Sequence, residues 1–307
     1  MTPPLLTVFT PTFNRVHLLP RLYASLLRQT AQAFCWLLID DGSTDGTGAL
    51  VLAWILEGRI PITYHWKPNG GMHTAHNAAY ERITTELNVC IDSDDWMPDD
   101  AVERITACWK EFGSQQVAGI IGLDADAGGK LIGTALPADR ATICLGEFYA
   151  IGGRGDKKLV YRTDLIRRTP PYPEFPGETY VGLIYKYTLV DQECPLLVLN
   201  AVLCVVDYQA DGSSLNMLRQ YWRNPRGFAF LRKVDMVHGC TWQVRTKAAI
   251  HYGAKSLMLR NKAWLQESPR PWLTLVTLPL GLACYAYLLW ARQRLHLATR
   301  PPGSVPP

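Results

Sequence analysis

The chain has 307 residues, and a hydrophobic content of 48% allows a full core in one large domain or two small ones. Its net charge of +4 is uneven: Leu215 to Arg300 holds 14 Lys and Arg against 2 Asp and Glu, so the rest of the chain is acidic and the last third suits anionic lipid or another polyanion. The eight cysteines are scattered without a C-x-x-C pair, and Cys90 and Cys204 sit inside apolar runs, which argues against a disulfide frame or zinc site and for a reducing compartment. No charged n-region followed by an apolar h-region marks a secretory signal.

In chain order, Leu5 to Thr10 is a β-type run followed by Pro11-Thr12-Phe13-Asn14-Arg15. Leu18, Leu19, Leu22, Leu26 and Leu27 then recur at helical spacing. Cys35 to Ile39 predicts a second strand, stopped by Asp40-Asp41-Gly42-Ser43-Thr44-Asp45-Gly46-Thr47, with a helix through Leu50, Val51, Trp54 and Ile55. Ile62 to Trp66 predicts a third strand, Asn69-Gly70-Gly71 a turn, Thr74 to Ile83 a helix, and Val89 to Ile91 a fourth strand ending in Asp92-Ser93-Asp94-Asp95. Strands separated by single helices imply right-handed crossovers and a mostly parallel sheet, in which ligands bind beyond the carboxyl ends of the strands. The polar segments after strands one, two and four therefore share one rim.

On that rim, three carboxylates within four positions repel one another unless a cation lies between them. Oxygen ligands of this kind suit Mg²⁺ or Mn²⁺ shared with substrate phosphates. The plainer reading is a solvated loop capping the next helix, a task that Asp99 and Asp100 also suit. Asp41 could accept from a nucleobase ring N–H, or merely close a turn. His73 and Asn77 stand i, i+4 on the helix after Gly71, so one face can look back at the rim, although a lone histidine such as His73 or His76 is more often a packing residue.

Val8 to Arg15, Ile39 to Thr47, Asn69-Gly70-Gly71 with Ala75-His76-Asn77, and Ile91 to Asp95 together resemble family 2 glycosyltransferases, in that family's order and spacing. The resemblance covers about the first third of the chain. It implies an α/β GT-A fold, a mostly parallel sheet flanked by helices, and a nucleotide-sugar donor. Thr10, Pro11, Asn14 and Arg15 match the loop lining the nucleotide pocket. Asp41 matches the carboxylate that contacts the base, typically uracil, and Asn69, Gly70, His76 and Asn77 accompany it as donor-binding positions. Asp92, Ser93, Asp94 and Asp95 match the D-x-D region holding ribose and metal-bound diphosphate, with Asp94 or Asp95 carrying the Mg²⁺ or Mn²⁺. The rival reading as a nucleotidyltransferase needs a Gly-rich basic loop after strand one, and Pro11 to Asn14 is not one.

The middle of the chain is less regular. Asp124-Ala125-Asp126 is a second D-x-D, but apolar runs on both sides and Gly128-Gly129-Lys130 mark it as a hairpin turn and not a second site. Gly152 to Lys158 reads as a flexible basic loop, whose lysines could reach a phosphate or stay solvated, before a strand at Leu159-Val160-Tyr161. Pro170 to Glu178 is a proline-stiffened loop. Inverting members of the family take their general base from a Glu-Asp pair after a Gly. Here Gly177-Glu178-Thr179 keeps the Glu and lacks the Asp, so Glu178 is the candidate base, with Glu174 and Asp191 behind it. Val202 to Tyr208 predicts a buried strand, and Tyr208 to Ser214 is either a lid over the donor or a simple turn.

The domain reading is a GT-A domain over 1–214, with a donor half at 1–111 and an acceptor half at 112–214, and a helical basic region over 215–307. Trp272 to Trp290 is 19 residues without a charge, long enough to span a bilayer, but interrupted by Pro279 and Gly281 and flanked by basic residues on both sides. That pattern favours a re-entrant or interfacial anchor over a span or a buried helix. The expectation is an inverting, metal-dependent transferase at the cytoplasmic face of the membrane, acting on a glycan or lipid-linked acceptor and not on nucleic acid. The other expectation is an inactive relative that binds nucleotide sugar as a membrane-bound partner.

Overall fold

The computed structural model describes residues 4–207, 209 and 217–298. The chain divides into two compact units, Met1–Leu215 and Asn216–Pro307.

The first unit is built on one eight-stranded sheet. Its strands are β1 (Leu6–Thr12), β2 (Phe34–Asp40), β3 (Ile62–Trp66), β4 (Leu87–Cys90), β5 (Gly119–Asp126), β6 (Thr142–Ile143), β7 (Lys157–Arg162) and β8 (Leu196–Val206). The spatial order is β3-β2-β1-β4-β7-β5-β8-β6. The first four strands are all parallel, each joined by a helix, as the alternating pattern requires. Beyond β4 the sheet is mixed, and over the whole sheet four of the seven strand pairs are parallel, in keeping with the mostly parallel expectation. Strand β7 runs antiparallel to β4 and β5, while β5 and β8 are parallel. The start of β7 therefore reaches the same rim as the ends of β4, β5 and β8. The segments 1–111 and 112–214 share this single sheet.

Burial is greatest around β1 and β2, where every residue of β1 is buried. Trp36 is fully buried and stacks with Tyr23 and Trp54. Its indole Nε1 donates to Thr10 Oγ1 at 3.0 Å, so its one polar atom is satisfied. Helix Leu19–Leu27 covers this side of the sheet with Leu19, Leu22 and Leu26, all fully buried.

The second unit is helical: Met217–Arg223, Pro225–His238, Trp242–Met258, Pro271–Val276 and Leu278–Ala298. Thr241 caps the third of these, its side chain accepting from Val244 N. A small core forms from Ala229, Met236, Ala248, Ala249 and Tyr252. Lys255 is 1% exposed; its ammonium donates to Tyr221 O at 2.9 Å and lies 4.1 Å from the Tyr221 ring centroid. The uncharged stretch 272–290 is split between two helices at Thr277. Among the described residues no helix is long and apolar enough to cross a membrane. Trp272, Leu280, Tyr287 and Trp290 are exposed.

Candidate functional site

A cavity of about 520 Å³ opens at the rim of the sheet, walled by segments from both halves of the first unit. At one end stands Asp41, just past β2 and 4% exposed. Its carboxylate accepts from Lys67 Nζ at 2.6 Å, Gly70 N at 3.0 Å, Gly71 N at 2.7 Å and Asn69 Nδ2 at 3.1 Å. Lys67 also donates to Thr74 Oγ1 at 2.8 Å. Asn69 and Gly70 thus hold Asp41 from behind and do not themselves line the cavity. Gly71 has φ +93°, and a Cβ there would lie 1.9 Å from Thr179 O, so this turn admits only glycine.

The end of β1 contributes Pro11 and Thr12 to the wall, and the segment after it Phe13 and Arg15. Thr12 Oγ1 is buried on the cavity side without a hydrogen-bond partner among the described residues. Thr10 faces the core under Trp36, which corrects its reading as a donor contact. Asn14, at φ 53°, is likewise a strut: its N–H donates to Ser43 Oγ and its Oδ1 accepts from Thr44 N, both at 2.8 Å. It ties the loop after β1 to the loop after β2 and is absent from the wall.

Asp92, Ser93, Asp94 and Asp95 occupy the centre of the cavity. Asp95 is 5% exposed and accepts from Asp207 N at 3.2 Å and Cys204 Sγ at 3.7 Å. Burial pushes its pKa up to about 7; Lys158 opposes the rise, and Asp92 and Asp94 add to it. Burial, then Asp92, also raises Asp94. Lys158 enters from the start of β7 and donates to Cys90 O at 3.4 Å. Burial acts to lower its pKa, but Cys204, Asp124, Asp95 and Asp92 more than reverse this and keep it charged. The two lysines expected on a flexible loop are therefore strand residues. Lys157 is enclosed by the carbonyls of Ile132, Arg154, Gly155 and Asp156.

Behind Asp94, Arg21 donates to Asp94 O and pairs with Asp207 Oδ2 at 2.7 Å, stacked over Trp96 at 4.2 Å. Lys67, Arg21 and Thr12 are the main residues that reading the sequence missed, while Lys158 was expected on a loop and stands on a strand. Lys67 and Lys158 lie near predicted rim segments, so proximity to the strand ends was an available signal. Arg21 carried none, because its partner Asp207 lies 186 positions away.

Other expected residues are placed differently. His76 does line the cavity, but it is wholly buried, edge-on to Phe9, Tyr80 and Tyr172, and burial lowers its pKa to about 3. Asn77 clamps the proline-rich loop, accepting from Tyr172 N and donating to Tyr172 O at 2.9 Å each, and makes no wall of the cavity. Asp191 caps helix Leu145–Ala150 by accepting from Leu145 N and Gly146 N. Glu178 is half-buried and next to Thr179, which abuts Gly71, but Glu178 does not line the cavity. Glu174 is exposed on the same loop and also outside the wall. The second D-x-D does form a turn, with Asp126 Oδ1 accepting from Gly128 N and Lys130 N. Asp124, however, points into the cavity, which corrects its reading as a turn residue alone. Of the expected lid, 208 and 210–214 lie outside the described residues, while Asp207 and Gln209 line the cavity.

Among the described residues no three side chains form a preassembled metal-binding set. The cluster does fit a hard cation held by one or two carboxylates with the remaining ligands from a diphosphate, because its aspartates are buried and mutually repelling. A mixed α/β sheet that gathers a buried carboxylate, an acidic cluster and basic residues at one rim defines the GT-A class of glycosyltransferases. Residues 7–132 match the family described as glycosyl transferase family 2. A chondroitin synthase of Pasteurella multocida is 36% identical over 110 residues, 36% of this chain and 11% of that protein, so the match spans about a tenth of the relative's length. Similar folds occur in S. aureus TarS 1-349 in complex with UDP-GlcNAc, at 16% identity and TM-score 0.58 over 89% of this chain and 79% of that one. The mannosyltransferase PcManGT from Pyrobaculum calidifontis, in complex with GDP-Man and Mn2+, is 19% identical with TM-score 0.54 over 97% and 81% of the two chains.

Proposed function

We propose that this chain transfers a sugar from a nucleotide diphosphate donor, a UDP-sugar, to a hydroxyl of a glycan or lipid-linked acceptor in polysaccharide or glycolipid synthesis. The carrying observation is the single cavity that contains Asp41 at one end and Asp92 to Asp95 at its centre. The Pasteurella relative's name supports a polysaccharide product, and the UDP-GlcNAc and GDP-Man on the two similar structures support a nucleotide-sugar donor.

Asp41, held rigid by five donors, orients the base. Arg15 borders the diphosphate, and Thr12 Oγ1 meets the ribose or phosphate. Mg²⁺ or Mn²⁺ held by Asp94 or Asp95 would neutralise the charge that develops on the diphosphate leaving group. Lys158 adds a fixed positive charge to the same cluster, while Asp207 N and Cys204 Sγ hold Asp95 in place. Glu178 takes the proton of the acceptor hydroxyl as it attacks, so the sugar transfers in line with inversion. The exposed Trp272 and Trp290, with the basic residues of the second unit, support a position at the cytoplasmic face of a membrane, near a lipid-linked acceptor.

Isothermal titration with UDP-sugars and Mg²⁺ or Mn²⁺, followed by a donor hydrolysis assay, tests this reading. Activity should fall at least a hundredfold in Asp94→Ala or Asp95→Ala and vanish with chelator. Unchanged activity in all three experiments refutes the metal role. A second reading, an inactive nucleotide-sugar-binding partner, is favoured by the position of Glu178 outside the cavity wall. Tight donor binding without turnover in the wild type would establish it.

A further inference from the structure

The acidic end of the cavity opposite Asp41 is unused by the chemistry above. Along the rim, Asp41 follows β2, the aspartate cluster follows β4, and Asp124 lies near the end of β5. In the strand order β2-β1-β4-β7-β5, the cluster is two strands from β2 and Asp124 is four, roughly 19 Å at 4.8 Å per strand. The parts of a nucleotide sugar come in the matching order: base, diphosphate, sugar.

Asp124 is 2% exposed, and its Oδ1 is buried without a hydrogen-bond donor among the described residues. Lys158 and Lys157 offset its charge, but a buried carboxylate oxygen left without a hydrogen-bond donor is still costly. The cavity supplies what it lacks, because Asp124 forms part of its wall beside Asp156 and Tyr149. Tyr149 is 41% exposed and offers an aromatic face there. The cations at this end are not offered to an anion. Lys157 is enclosed by four carbonyls, and Lys158 is faced by Asp92, Asp95 and Asp124.

We propose that Asp124 is a specificity residue of the donor-sugar subsite, its carboxylate accepting from hydroxyls of a neutral hexose or N-acetylhexosamine, with Asp156 beside it turning away hexuronic acids. The proposal rests on the nucleotide-sugar reading of the cavity. Hydroxyl donors satisfy the buried oxygen, whereas a uronate would bring a further negative charge against two aspartates.

The test is titration calorimetry in Mn²⁺ with UDP, UDP-glucose, UDP-N-acetylglucosamine, UDP-galactose and UDP-glucuronate, on the wild type and Asp124→Asn. The wild type should bind at least one neutral UDP-sugar more tightly than UDP, and UDP-glucuronate no more tightly than UDP. Asp124→Asn should bind UDP with wild-type affinity and lose about tenfold to a hundredfold for the neutral sugar, the range for a hydrogen bond to a charged group. Its melting temperature should not fall, because the amide replaces an oxygen that has no donor while Lys158 keeps Asp92 and Asp95 beside it. Retention of the sugar increment in Asp124→Asn, a wild-type preference for UDP-glucuronate, no increment for any neutral sugar, or a lowered melting temperature would each overturn the proposal. Failure of the wild type to bind UDP at all would instead sink the reading of the cavity on which it rests.

Discussion

Lys67→Met isolates the support beneath Asp41. The ion pair is 2.6 Å long, with Asp41 and Lys67 side chains 5% and 19% exposed. Removing one partner of a buried pair costs about 3–5 kcal/mol. Here Asp41 keeps four further donors, Asn69 Nδ2, Gly70 N, Gly71 N and, at 3.5 Å, Thr74 Oγ1, and Lys67 is partly wetted. We therefore expect a loss of about 2 kcal/mol, below that range. For a unit of this size the melting temperature should fall by about 4–8 °C. Thermal melts of Lys67→Met, Asp41→Asn and the double variant measure the coupling. The double variant should be less destabilised than the sum of the singles, since neither charge is then left alone. Additive losses, or a Lys67→Met protein as stable as wild type, would refute the account of Asp41 as a residue rigidly held by buried charge.

Three more outcomes follow from the geometry. His76 has its folded pKa lowered by burial to about 3, below the unfolded value near 6.5, so its contribution is fully present above pH 6.5 and lost as pH falls. From pH 6.5 to 5 the loss should be about 2 kcal/mol by urea titration, and His76→Leu should flatten that part of the acid limb. Gly71→Ala should cost about 3 kcal/mol, because φ +93° and a contact at 1.9 Å with Thr179 O both oppose a side chain. Gly46→Ala, at φ +90° with nothing within 4 Å, should cost only about 1 kcal/mol, so equal losses would show that the Thr179 contact is not decisive. Trp272→Ala with Trp290→Ala should reduce co-sedimentation with anionic vesicles at least tenfold, and equal sedimentation would remove the membrane role assigned to these rings.

Much of the site was legible because parallel crossovers force successive strand ends to one edge. That rule places Asp41, Pro11 and Arg15, and Asp92 to Asp95 at one rim without any knowledge of side-chain contacts. Residues within such segments were harder to sort. Thr10 and Thr12 are two positions apart, yet one is pinned under Trp36 and the other faces the cavity. Asn14 and Asn77 have the polarity of ligand contacts but spend it on the backbone of neighbouring loops.

By itself, then, the amino-acid sequence determined the alternation of strands and helices in the first third, the shared rim and its acidic cluster. Tertiary structure alone decided that β7 runs antiparallel between β4 and β5 and carries Lys157 and Lys158 to that rim. It also decided that Asp124 belongs to the cavity, while Asp126 stays in the turn. The physical reason is that side-chain periodicity reports which face of an element is buried. The direction and partner of a strand depend instead on pairing with residues distant in the chain, as where Val89 meets Val160.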